Sequence, residues 1–253
     1  MRKVVNILFL IVIIADSCGG HGQPTTSQAD SLNIRQEQID NDPLRLSEEQ
    51  EKQSEREFYP LVSAAEVAMI APVIKKWADF YGIDFAQARL VSKDSVCFNC
   101  SPDMTSIYYR EFTKKCDTDK RIDVDYSPDK QRYVDLGISV GTYYNEEDKK
   151  YYFIGWDDCQ EIYLIDRKQK HQNLIIWLGV SSLAEAVFWK SNDVFMVVGY
   201  DKNYSDENLH FVYVFDIKNN IQYRYEISTD AKNGYDRYMD EVYLKEKNIF
   251  VSN

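Results

Sequence analysis

Residues 161–170 read Glu-Ile-Tyr-Leu-Ile-Asp-Arg-Lys-Gln-Lys, and residues 211–220 read Phe-Val-Tyr-Val-Phe-Asp-Ile-Lys-Asn-Asn. Each is an alternating apolar run, then an aspartate, then a polar turn containing lysine. Alternation with period two places successive side chains on opposite faces of a strand. Aspartate at the end of such a run bonds to the backbone of the turn that follows. Each turn leads into a second strand-like run, Asn173 to Leu178 and Ile221 to Ile227. The chain therefore carries one antiparallel hairpin unit twice, at a spacing of fifty residues. A second echo, at a spacing of 55, sets residues 186–196 against residues 241–251 and predicts another pair of strands. Nineteen tyrosines against ten glycines and six prolines fit pleated, half-buried surfaces.

Upstream, Asp125-Tyr-Ser-Pro-Asp-Lys130 resembles the first hairpin of a TolB- or WD-type propeller blade, where Ser-Pro-Asp-Gly-Lys is frequent; here the glycine is missing. The resemblance covers Arg121 onward. About 165 residues of strand-and-turn texture supply three blades at most, against about four to eight in a closed propeller. The expected fold is mainly β: antiparallel meander sheets, propeller-blade-like but not a closed propeller, with a short N-terminal helical segment. The run after residue 248 is expected to close against an earlier sheet.

The helical segment spans 57–84. Val62, Ala65, Met69, Val73, Trp77 and Tyr81 recur at steps of three and four, with Gly82 placed as a C-cap. Pro72 predicts a kink or a split into two helices. Residues 18–56 are rich in Gln, Glu, Asp and Ser without an apolar period, the composition of a flexible tether. Such a coil has an end-to-end distance of about 30–35 Å. The β domain takes residues 85–253.

Residues 1–17 have the form of a signal peptide: Arg2 and Lys3, then an apolar run from Val4 to Ala15 broken only by Asn6. The run is shorter than the roughly 18 apolar residues that a spanning helix needs. It ends in Ala15-Asp16-Ser17-Cys18-Gly19, which resembles the lipobox of bacterial lipoproteins, with Ala15 where leucine is usual and Asp16 where a small residue is usual. Ordinary cleavage after the small-x-small pair Ala15 and Ser17 is the alternative. The resemblance implies cleavage before Cys18 and lipid on its sulfur, anchoring the chain to a membrane without a spanning helix. Gly19, where aspartate would retain the protein at the inner membrane, directs the resemblance to the outer membrane. Cleavage there would leave 28 basic and 40 acidic residues, a net charge of −12. A field of that sign repels phosphate backbones, so nucleic acid is not an expected partner.

Four features carry chemistry. Gly137-Ile-Ser-Val-Gly141 matches G-x-S-x-G, the nucleophile elbow of α/β-hydrolases, with Ser139 as candidate nucleophile. That motif needs a strand before it and a helix after it. Here the downstream residues 142–155 read as two aromatic strands, and a triad would have to be assembled from Ser139, Asp166 and His171 or His210. Besides Cys18, the chain holds Cys97, Cys100, Cys116 and Cys159, candidates for two disulfides or buried thiols. A zinc site would want a second close pair, and a redox Cys97-x-x-Cys100 would want a helix N-terminus. Carboxylates gather at Asp123, Asp125 and Asp129, at Asp157 and Asp158, and at Asp201, Asp206 and Glu207. Turn aspartates account for these, and no metal or cofactor is expected. Finally Tyr143, Tyr144, Tyr151, Tyr152, Trp156, Trp177 and Trp189 supply rings for a sugar-stacking surface, with half of the paired tyrosines expected on a core face.

The functional expectation is a cell-envelope lipoprotein acting as a non-catalytic binding or scaffolding module, with an envelope protein, peptide or glycan as partner. The alternatives are a hydrolase using Ser139 and a glycan-binding accessory lipoprotein.

Overall fold

Three open sheets and one long helix make up the part of the computed structural model described below, residues 58–98, 112, 121–155, 159–202, 208–229 and 237–252. Cys18, Cys100, Cys116, Trp156, Asp157, Asp158, Asp206 and Glu207 lie outside the described residues, as do the signal segment and the tether.

The fifty-residue echo is realised as two equivalent hairpins. In the first sheet the order is β2 (Val124–Tyr126), β3 (Arg132–Asp135), β6 (Gln160–Asp166) and β7 (His171–Leu178), with every neighbour antiparallel. In the second, β8 (Ser182–Trp189), β9 (Val194–Lys202), β10 (Asn208–Asp216) and β11 (Ile221–Thr229) form a continuous meander. The echoed residues are the third strand and following turn of each sheet. Asp166 Oδ1 accepts from Gln169 N–H at 2.8 Å, and Asp216 Oδ1 accepts from Asn219 N–H at 3.0 Å. The residue closing each turn is left-handed, Lys170 at φ 57° and Asn220 at φ 55°. The Ser-Pro-Asp-Lys stretch is the β2–β3 turn. Lys130 adopts φ 59°, the conformation that glycine supplies in the blade motif, while Asp129 Oδ1 accepts from Gln131 N–H at 3.0 Å.

Each meander also departs from a plain blade. β1 (Arg89–Ser95) adds to the outer edge of β11, making the second sheet five-stranded. Between β3 and β6 the chain leaves the first sheet to form the hairpin β4 (Thr142–Asn145) and β5 (Lys150–Phe153). There it meets β12 (Ile249–Val251), which pairs with β5 in parallel and builds a third sheet in the order β12, β5, β4. The expected closure of the last strand onto an earlier sheet is therefore present, and it is the one parallel pair among the described strands.

The 55-residue echo holds only in its second half, where Val194 opens β9 and Ile249 opens β12. Residues 186–196 form the end of β8, a turn and the start of β9, whereas the matching stretch forms a π-helix (Met239–Tyr243) and α2 (Leu244–Glu246) before β12. Glu, Lys and Leu are good helix formers where Ala186 to Trp189 has β-branched and aromatic residues. The helical winding also aims Tyr243 and Lys247 at one target, Asp125.

The long helix, α1, is unbroken over Ala64–Tyr81 with Pro72 inside it. Pro72 forfeits only the bond to the Ala68 carbonyl. A capping box at Ser63 and Glu66 fixes the start, and Gly82 at φ 67° ends the helix. The buried stripe is Ile70, Ile74, Trp77, Ala78 and Tyr81, turned from the expected face so that Ala65 is exposed while Met69 and Val73 lie at its margin. Burying each large apolar member contributes about 1.5–3 kcal/mol relative to exposure. This stripe, the inner faces of both large sheets, Phe153 and Ile249 form one core cluster. A smaller cluster of Val124, Tyr133, Tyr163 and Ile165 covers the other face of the first sheet. Two polar side chains tie the large sheets together. Buried Gln160 donates to the Leu136 and Ala184 carbonyls at 2.9 and 3.1 Å and accepts from Ala184 N–H at 2.8 Å. Arg132 donates to Asp166 in its own sheet at 2.8 Å and to Asp193 in the β8–β9 turn at 2.9 Å.

Candidate binding face

The Gly-Ile-Ser-Val-Gly stretch is a linker between β3 and β4. Gly137 sits at φ 74°, Ile138–Gly141 form a single 3-10 turn, and a strand follows at Thr142. Among the described residues no helix N-terminus is placed beside this turn, which the motif requires. The second glycine answers a packing demand: a Cβ on Gly141 would lie 1.8 Å from the Gly155 carbonyl oxygen, and Gly141 O accepts from Ile154 N–H at 2.8 Å. Of the other members of a Ser139 triad, Asp166 and His210 are engaged elsewhere. Asp166 receives Arg132 and its own turn. His210 is buried on β10 between Trp77 and Tyr81, with ring centroids at 5.5 and 4.5 Å. His171 opens β7 opposite Asp166.

Cys97 is disulfide-bonded, to a partner outside the described residues. Cys159, a candidate for a second bridge or a buried thiol, is a free, half-buried thiol just before β6. The carboxylates work in turns and ion pairs: Asp129 in the β2–β3 turn, Asp201 with Arg224 at 3.0 Å, and Asp123 with Arg121 at 2.5 Å. Among the described residues no group of three or more His, Cys, Asp or Glu is arranged to hold a metal.

Two interior acid centres were not legible in the sequence. Glu185 lies in a β-bulge of β8, at the register shift between Ala184 and Ala186. Facing the bulge is Gly199, where a Cβ would meet the Leu183 carbonyl oxygen at 2.0 Å. A bulge re-aims one side chain out of the alternation. Here it sends Glu185 into the interface with α1, fully buried, where Trp77 Nε1 donates at 3.0 Å, the Tyr81 hydroxyl at 2.7 Å and Met239 N–H at 3.4 Å. Burial lifts its carboxyl to about 6, with the three donors and the Arg237 charge pulling the other way. All its oxygens face donors from α1 and the π-helix, so Glu185 acts as a clamp joining β8, α1 and residues 237–247.

The second centre fastens the same segment to the first sheet. Asp125 of β2 accepts from the Tyr243 hydroxyl and from Lys247 Nζ, the latter at 3.0 Å. Lys247 also donates to the Val124 carbonyl at 3.0 Å. Nearby, Arg121 pairs with both Asp123 and Asp135, the latter at 2.7 Å. Burial pushes the Asp125 carboxyl up, against the opposing pull of Lys247 and Tyr243. Tyr243 and Lys247 stand one helical turn apart on one face. Gripping Asp125 with both fixes the exit of α2, and the chain then runs into β12 alongside β5.

The third sheet is where the aromatic supply reaches the surface. Its register pairs Thr142 with Phe153, Tyr143 with Tyr152, Tyr144 with Tyr151 and Asn145 with Lys150, and sets Ile249 beside Tyr151 and Phe250 beside Tyr152. Alternation then defines two faces. One carries Phe153 and Ile249, both buried in the core. Tyr144 and Tyr151 on the same face lie beyond the core's edge and are exposed, so the expectation that half of the paired tyrosines are core does not hold. The other face carries Tyr143, Tyr152 and Phe250, one ring per strand in a single row. Neighbouring centroids are 5.7 and 5.8 Å apart, with planes 22° and 39° from parallel. Tyr143 is 46% and Phe250 45% exposed. The Tyr152 hydroxyl donates to Asp148, and Lys150 lies over the Phe250 ring at 4.7 Å. Of the tryptophans, Trp189 is partly buried and donates to the Asp125 carbonyl at 3.0 Å, and Trp177 on β7 is exposed but outside this row.

Comparison with protein-family models, with curated proteins and with solved structures finds no match to the chain.

Proposed function

We propose that the chain is a lipid-anchored protein of the bacterial outer membrane that works as a non-catalytic binding module, with the exposed row Tyr143–Tyr152–Phe250 as its contact face. The row is the observation that carries this reading, since three aligned rings on a solvent-facing sheet cost hydration that a binding partner would relieve. The lipobox-like Ser17-Cys18 and the polar stretch to residue 56 support the anchor and the reach. The acid groups whose carboxyls burial raises, Glu185, Asp125 and Asp135, are all engaged by donors within the fold, which favours binding over catalysis.

The test places a photo-reactive p-benzoylphenylalanine at position 143, and separately at exposed Lys218 in the β10–β11 turn, in cells that produce the chain. An envelope component captured from position 143 and not from 218 is the expected result. Equal capture from both, or none from either, overturns the contact face. Fractionation of a Cys18→Ala variant tests the anchor: it should leave the membrane fraction, and retention there overturns lipidation.

A further inference from the structure

We infer that the contact face takes an extended, uncharged glycan chain, lying across the three strands with successive pyranose rings on Tyr143, Tyr152 and Phe250. This rests on the binding-module reading and adds the class of ligand. The first argument is the composition of the face. Its strand positions are Tyr143, Asn145, Lys150, Tyr152 and Phe250, with Asp148 joined through the Tyr152 hydroxyl. No aliphatic side chain is among them; Ile249 and Val251 fall on the opposite face. A protein partner docks on a core of apolar side chains within a polar rim, whereas here Asn145, Lys150 and Asp148 stand among the rings and the exposed aliphatic neighbour Ile154 lies past the end of β5. A pyranose asks for that mixture. Its C–H patches settle on the electron-rich faces of aromatic rings, and its hydroxyls at the ring edge need hydrogen-bond partners such as the Asn145 amide, the Lys150 ammonium and the Asp148 carboxylate.

The second argument is geometric. Cross-strand pairing spaces the rings evenly, at 5.7 and 5.8 Å, along a line perpendicular to the strands. Rings repeated at an even cross-strand spacing fit an extended chain better than a coiled one, because each successive sugar finds a ring at the same interval. The third argument is charge. The whole sequence carries −11, and −12 after cleavage before Cys18, which disfavours anionic polymers and anionic lipid surfaces and leaves neutral glycans unopposed.

The experiment uses the full chain in detergent micelles, titrated by calorimetry with chitohexaose, cellohexaose and maltohexaose, and in parallel with phosphatidylethanolamine–phosphatidylglycerol vesicles. The expected result is saturable binding of one or both extended hexasaccharides, with maltohexaose weaker. Tyr143→Ala and Tyr152→Ala should each weaken it about tenfold, the loss of one substantial contact. Tyr152→Phe keeps the ring and should retain most of the affinity, and Trp177→Ala, on another sheet, should retain all of it. If Tyr152→Ala fails to fold, Tyr143→Ala on the outer strand carries the same test. Binding that survives both alanine variants overturns the inference, as does vesicle binding lost in them without glycan binding. Failure of all three oligosaccharides at millimolar concentration, together with a protease-sensitive adduct from position 143, would sink the glycan and leave the binding module standing. Failure of both experiments removes the two together.

Discussion

Replacing Glu185 by glutamine should change how stability depends on pH, and the structure fixes both sign and size. The carboxyl is enclosed by Trp77, Tyr81 and the π-helix backbone, with His210, Tyr200, Tyr238 and Arg237 around them, and burial lifts it from its ordinary 4.5 to about 6. Because the folded value lies above the unfolded one, the native state binds the proton more tightly. The stabilisation is fully present below 4.5 and is lost as pH rises through 6. At about 1.4 kcal/mol per pH unit, the gap between 4.5 and about 6 amounts to about 2 kcal/mol. Glutamine does not titrate. Its amide can accept from Trp77 and donate to the Tyr81 oxygen, so whatever packing or hydrogen-bond offset it introduces is constant with pH. The measurement is urea unfolding of wild type and Glu185→Gln across a pH series. The variant's stability relative to wild type should rise by about 2 kcal/mol between about pH 4 and pH 7. A flat difference, or one that falls as pH rises, would refute the argument that burial outweighs the three donors at this site.

Two further outcomes bear on the framework around the candidate binding face. Gly141→Ala should destabilise the protein by about 1–3 kcal/mol in the same unfolding assay, because its new methyl collides with the Gly155 carbonyl; an unchanged midpoint would mean that the β3–β4 linker yields freely. Lys247→Met leaves the Asp125 carboxyl with Tyr243 alone and should cost about 1–3 kcal/mol, the loss of a partly buried charge-assisted hydrogen bond. Hydrogen exchange in that variant should quicken at residues 249–251 before it quickens in β8 to β11, and uniform exchange would contradict the role of the clamp in placing β12.

The features readable in the sequence were those in which a residue acts on its own neighbourhood. Asp166 and Asp216 cap the turns they open, Gly82 supplies a left-handed cap, and tyrosine pairs on β4 and β5 alternate between faces as strand geometry demands. The features that escaped depend on encounters across the chain. Glu185 sits in an otherwise apolar run, and its meaning comes from Trp77 and Tyr81, more than a hundred residues earlier. No local signal marks the bulge beyond Gly199 on the facing strand. The stretch from Glu241 resembles β8 in its apolar positions, yet its winding answers to Asp125. Phe250 could not be joined to the tyrosines because strand register over that distance is a tertiary decision. The choice between bridge and thiol was open for a related reason, as an even cysteine count does not require every thiol to find a mate, and Cys159 is free.

The parallel pairing of β12 with β5 has a consequence for the order of assembly. Ile249 meets Tyr151 across about a hundred residues of intervening chain, a contact far slower to close than the hairpins around it. Until it closes, β5 is an open sheet edge and the ring row holds two members instead of three. A chain cut before residue 249 could still fold its two meanders, yet it would be blind to a ligand that reads all three rings. The row is thus assembled only when two segments about a hundred residues apart have paired, so its third ring reports on completed folding of the third sheet.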